Sequence, residues 1–181
     1  KVTFTDISDV IAEFIAFEWR ADNSLFDRHL RENIALPEAA QAGMELFYGK
    51  AKCSSCHSGQ FQTDHGFHAI AMPQIGPGKA ARFESHARDE GRMRVTGNPE
   101  DAYRFRTPSL RNVAETAPYG HSGAYASLRA VIEHHLDPQK GLQNYDRSQL
   151  ILPDLPQSND FRVLSDPQEL TAIAAANELT P

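Results

Sequence analysis

The chain has 181 residues, 40% of them hydrophobic, and a formal net charge of −6. That is length for one domain or one and a half and apolar content for a real core, while the acidic balance argues against nucleic acid as a partner. No apolar run reaches the length of a membrane-spanning helix, and no signal peptide is visible in this sequence, which opens on Lys1 rather than methionine.

Four helices are expected. Asp6 is placed to cap the first, which runs to about Arg20 with Ile7, Val10, Ile11, Phe14 and Ile15 on one face. Pro37 opens the second, an Ala-rich stretch ending near Tyr48. It leads into Cys53-Ser54-Ser55-Cys56-His57. A long polar stretch follows, rich in Gly and Pro and without periodicity; so much irregular backbone in a compact domain implies that it wraps something. Ser127 caps the third helix, with Leu128, Val131, Ile132 and His135 along one face. Asp166-Pro167-Gln168-Glu169 starts the fourth, which runs to about Leu179.

Cys53-Ser54-Ser55-Cys56-His57 carries the chemistry. Cys-x-x-Cys-His is the attachment signature of a c-type haem: two thiols form thioethers to the vinyl groups and the histidine becomes the proximal iron ligand. These are the only two cysteines, so a disulfide framework has no material. A structural zinc site needs about four N/S ligands, and no second Cys-x-x-Cys and no His-x-x-x-His pair is present. A thioredoxin-like motif would sit beside strand–helix alternation, which is missing here. The expected fold is therefore mainly α: one cytochrome-c-like helical domain over residues 1–181, wrapped around a single covalent haem c, with long irregular loops. Bacteria attach such haems outside the cytoplasm. The expected location is the periplasm, and the chain reads as a trimmed product whose leader is missing.

Periodicity points to a second axial ligand. His135 lies seven residues after Leu128, four after Val131 and three after Ile132, so it shares their apolar face. His134 is turned about a hundred degrees away, toward the polar side. His135 is the first choice for the sixth position; His134 and Met72, in the loop Ala71-Met72-Pro73-Gln74, are the alternatives.

A longer resemblance sits on Phe105-Arg106-Thr107-Pro108-Ser109-Leu110-Arg111-Asn112-Val113 and Thr116-Ala117-Pro118-Tyr119-Gly120-His121-Ser122-Gly123. With Asn23-Ser24-Leu25-Phe26-Asp27-Arg28 and the run from Phe67 to Gly78, these stretches resemble the bacterial di-haem cytochrome c peroxidases, a family that includes MauG. Members have two haem domains, and this chain is similar to the C-terminal, electron-transferring one. The resemblance implies a peroxidatic haem domain or subunit outside this chain. It also implies a small periplasmic cytochrome c or cupredoxin, or a protein substrate, as redox partner. The family's distal ligand, methionine in ordinary peroxidases and tyrosine in MauG, falls on His135. A second imidazole in place of methionine should lower the haem potential. The resemblance further implies a calcium ion bound by the backbone carbonyls of Thr116 and Pro118, for which a plain turn is the competing reading.

Other residues divide between roles. Arg106 and Arg111 are candidates to hold haem propionates, against a reading as solvated surface arginines. Trp19 is expected in core packing, and His121 as a structural hydrogen-bonding residue. A hydrolase is excluded by the absence of a Gly-x-Ser-x-Gly elbow. Whether the chain is itself an enzyme stays open. The alternative to a peroxidase-type domain is a stand-alone mono-haem carrier with a bis-histidine haem.

Overall fold

The computed structural model describes residues 1–18, 20–76, 88–149 and 161–179. It is mainly α-helical, with helices α1 (Phe4–Glu18), α2 (Leu25–Glu32), α3 (Glu38–Tyr48), α4 (Met93–Thr96), α5 (Leu128–Leu136), α6 (Pro138–Gln143) and α7 (Pro167–Ala175). The only named strands among the described residues are β1 (Phe67–His68) and β2 (Phe105–Arg106), paired antiparallel with Phe67 opposite Arg106. The chain divides into two compact units, Lys1–Ser55 and Cys56–Pro181, so the boundary falls inside the Cys-x-x-Cys-His motif. Trp19 lies outside the described residues.

In the first unit, α1 is capped by Thr3 rather than Asp6. The Asp6 carboxylate accepts from the Thr3 N–H at 2.7 Å while the Thr3 hydroxyl accepts from the Asp6 N–H at 3.2 Å. Asp6 is thus the third helical residue of a reciprocal capping box, and the helix starts three residues earlier than expected. Helix α2 was not anticipated. Ser24 caps it through the same reciprocal arrangement with Asp27, and Asn33 closes it in the left-handed region at φ 59°. Pro37 directly precedes α3, as expected. A short 3₁₀ turn at Cys53–Ser55 then delivers the motif.

The second unit holds the core. Ala71, Ile75, Leu142, Val163, Leu164 and Ile173 form its main buried cluster, which packs α6 and α7 against the chain following β1. Ile173 is 1% exposed, and a side chain of that size contributes about 1.5–3 kcal/mol by burial. A second cluster gathers Met72, Ala124 and Tyr125 beneath α5. Ser127 caps α5 by accepting from the Ala130 N–H, and Asp166 caps α7 by accepting from Gln168, both as the sequence indicates. Asp137 ends α5 and caps α6, which joins them in a tight corner. Most of the described chain between the motif and α5 is turn and irregular backbone, again as expected.

Candidate haem site

His57 is held by its own loop. The Cys56 carbonyl accepts from the Asp64 N–H at 2.7 Å, and the Ser58 carbonyl accepts from Thr63 at 2.9 Å. Three side-chain bonds stitch this loop to the segment after β2. The Thr63 hydroxyl donates to the Thr107 carbonyl at 2.7 Å, Ser109 to the Phe61 carbonyl at 2.6 Å, and Arg111 Nε to the Gln60 carbonyl at 2.6 Å. The ring is oriented by its Nδ1–H, which donates to the Gln62 carbonyl at 3.3 Å. Burial lowers the His57 pKa, with the Gln62 carbonyl pulling the other way and His135 reinforcing the drop. The ring is thereby kept neutral near pH 7. A neutral imidazole that donates through Nδ1 carries its lone pair on Nε2.

Across from it stands His135, on the last turn of α5. Its Nδ1–H donates to the Val131 carbonyl at 2.7 Å, so its lone pair also sits on Nε2. The two ring centroids are 6.4 Å apart, with planes inclined at 57°. A metal–imidazole bond of about 2 Å on each side, plus roughly 1.1 Å from donor nitrogen to ring centre, puts two coaxial imidazoles about 6.2 Å apart. The spacing accommodates one metal between them and is too wide for ring stacking. Ile132 and Leu136 flank His135 and are 55% and 57% exposed, apolar surface of the kind a macrocycle would lie against. The Cys53 and Cys56 thiols are half-buried. The two thiols of the motif and the imidazoles of His57 and His135 are donors of the kind a c-type haem takes.

The alternative ligands are otherwise engaged. His134 is 1% exposed, not turned toward the polar side as its helical position suggested. Its Nε2–H donates to the Ile70 carbonyl at 2.7 Å, and its Nδ1 accepts from the Tyr125 hydroxyl at 2.7 Å. Burial pushes its pKa down to about 4. The amphipathic rule fails here because both sides of α5 are used: the His134 side meets protein, while the apolar His135 side is the more open one. Met72 is buried in the second cluster, packed beside Ala124 and Tyr125.

Arg106 and Arg111 both border the stitched loop. Arg111 donates to Gln60, and the exposed Arg106 donates through Nη1 to the Thr107 carbonyl at 3.3 Å. Thr116 and Pro118 lie on an irregular loop, with the Ala117–Pro118 peptide cis. His121 stacks on Phe105 with centroids 3.9 Å apart and faces the Asp89 carboxylate at 3.5 Å, which suits a structural residue. One group went unforeseen in the sequence: the Cys56 sulfur, Asp64 carboxylate and His68 ring lie within 4.8 Å of one another. Asp64 accepts from His68 Nε2 at 2.8 Å. Burial alone would raise this carboxyl; hydrogen bonds from His68, the Gly66 N–H and Thr107 outweigh it and hold the pKa at about 2. A thioether at Cys56 would leave Asp64 and His68 as a hydrogen-bonded pair beside the attachment point, with no thiolate to bind a further metal.

No family model matches the chain. Against known proteins it is 32% identical over 149 residues to the cytochrome-c peroxidase IdrP1 of Pseudomonas sp. (strain SCT), covering 71% of this chain and 38% of the relative. It is 38% identical over 115 residues to the methylamine utilization protein MauG of Methylorubrum extorquens, covering 61% and 29%. A crystal structure of a MauG-like protein associated with microbial copper homeostasis superposes with a TM-score of 0.59 at 27% identity, covering 98% of this chain and 54% of that one. The chain thus spans roughly a third of the length of the curated relatives it matches. Sequence, fold and a haem-compatible donor set agree: the chain belongs to the di-haem cytochrome c peroxidase and MauG family.

Proposed function

We propose that this chain is the electron-transfer haem domain of a peroxidase- or MauG-type oxidoreductase. The observation that carries the reading is the facing pair of Nδ1-anchored imidazoles, His57 and His135, at a separation that takes one iron between them. Cys53 and Cys56 anchor the haem covalently, His57 is the proximal ligand and His135 the distal one. When bound, the haem supplies a one-electron carrier. With His57 and His135 both held to the iron, small substrates such as peroxide would be excluded from it, so the domain would pass electrons and leave peroxide chemistry to a second haem. Replacing a thioether ligand by imidazole lowers the potential relative to a His/Met site.

Around that centre, Arg106 and Arg111 would hold the propionates, since guanidinium matches carboxylate geometry. The carbonyls of Thr116 and Pro118 would supply two oxygen ligands to a calcium ion whose remaining ligands come from the peroxidatic domain. The external partner is a small periplasmic cytochrome c or cupredoxin, or a protein substrate whose electrons flow the other way. A periplasmic location follows from covalent haem attachment; among the described residues no helix is long and apolar enough to cross a membrane.

Intact mass and haem count of the product purified from its native host test the reading. Two haems on one chain or a co-purifying haem subunit, with little peroxide turnover by this domain alone, are expected. One haem with no partner subunit would instead make the chain a mono-haem carrier. Fast turnover by the isolated domain would overturn the His135 assignment.

A further inference from the structure

The side chain beside the distal ligand is among the most tightly fixed in the molecule. A carbonyl oxygen can only accept, so the bond to Ile70 fixes the proton of His134 on Nε2, and Nδ1 must then accept from Tyr125. The two partners are themselves immobilised. Tyr125 exchanges both backbone hydrogen bonds with Tyr119, at 2.8 and 2.9 Å, and its ring packs edge-on against Tyr145. Ile70 belongs to the chain that runs from the His57 loop through β1. The bond from His134 to Ile70 therefore straps the helix that presents one imidazole to the chain that presents the other. From a third side, Gly141 on α6 has no side chain where one would strike His134: a Cβ there collides with Nδ1.

The geometry points to His134 as a positioning residue for His135. Tyr125, the Ile70 carbonyl and the bare face of Gly141 lock its ring, and this lock holds His135 on the sixth position and sets how readily it lets go. The inference rests on the bis-histidine reading given above. Among the described residues, the hydrogen bond that orients His135 lies within its own helix, and the ring is half-buried. Rotation of α5 about its axis would swing Nε2 away from His57, and the neighbouring residue, with two bonds to groups outside α5, is what opposes that rotation. The domain thus keeps its iron closed to small ligands through a side chain that never touches the haem iron.

Cyanide is the probe, because it binds ferric iron only after His135 leaves. In the haem-loaded protein, cyanide binding should be roughly tenfold faster in Tyr125→Phe, which deletes one buried hydrogen bond. His134→Leu, which deletes both, should accelerate it further. His134→Gln should stay close to the wild type, since an amide offers a donor and an acceptor to the same partners. Gly141→Ala should accelerate binding from the opposite side, and it carries the test if Tyr125→Phe does not fold. Ile173→Val, in the other core cluster, should lower the melting midpoint and leave the cyanide rate within twofold. Rates equal to the wild type in the folded Tyr125, His134→Leu and Gly141 variants would overturn the proposal. So would equal acceleration by Ile173→Val, or by His134→Gln and His134→Leu alike. A wild-type ferric spectrum that is high-spin, or that shows a methionine-to-iron band, would instead remove the bis-histidine reading and this inference with it.

Discussion

Replacing His135 with alanine separates ligand from bystander. The nearest substitute is His134, whose ring centroid lies 6.3 Å from that of His135 with the planes at 88°. For His134 to take the iron, α5 would have to turn by about 100° and surrender the bonds to Tyr125 and Ile70. Two buried hydrogen bonds at about 1–1.5 kcal/mol each disfavour that exchange by about 2–3 kcal/mol, a factor of thirty or more. Met72 is held in the core beside Tyr125 and offers no easier route. The conversion in His135→Ala should therefore be nearly complete: ferric haem that is low-spin in the wild type becomes high-spin or water-ligated. Added imidazole should restore the low-spin form, because it supplies the donor nitrogen that the substitution removes. Electronic absorption and electron paramagnetic resonance at neutral pH read the outcome. A His135→Ala protein that stays fully low-spin without added ligand would refute the assignment.

Three further outcomes follow from the rest of the molecule. Ile173→Ala opens a cavity among Leu142, Val163 and Leu164 and should cost about 2–5 kcal/mol in denaturant unfolding. Asp64 has a folded pKa of about 2 against an ordinary value of 3.8, so its stabilising contribution is whole above pH 4 and lost as pH falls toward 2. Asp64→Asn should flatten that part of an acid titration of stability, and an unchanged profile would show that the hydrogen bonds to this carboxylate contribute nothing. Gly91 sits at φ +60° with its α-carbon against the Arg104 carbonyl, where a Cβ would collide. Gly91→Ala should lower stability by more than about 1 kcal/mol, detectable as a fall in the thermal midpoint.

The parts of this fold that could be read in the sequence are those with local causes. Ser127 and Asp166 announce α5 and α7 by side chains that accept from backbone two or three residues on. The haem motif is legible because its chemistry is packed into five consecutive positions. Helix α2 had a legible signal in Ser24 and Asp27, the two ends of its capping box, but at eight residues it lacks the repeated apolar period that marks longer helices. At α1 the same box was half seen: Asp6 was taken for the cap when its partner Thr3 holds that place. His134 lay beyond reach for a different reason. Its burial depends on a carbonyl 64 positions away and on a tyrosine in an irregular loop, and helical periodicity carries no information about either.

The stitches around His57 have a bearing on biosynthesis. Thr107, Ser109 and Arg111 hold the loop from positions 44 to 51 residues further along the chain. A polypeptide threading out amino end first exposes both thiols and the proximal imidazole while those fastenings are still unmade, and His135 arrives later still. An attachment enzyme would meet a pliant pentapeptide rather than a finished loop. The porphyrin would then be in place before α5 closes over it, a scaffold on which the second half of the chain assembles.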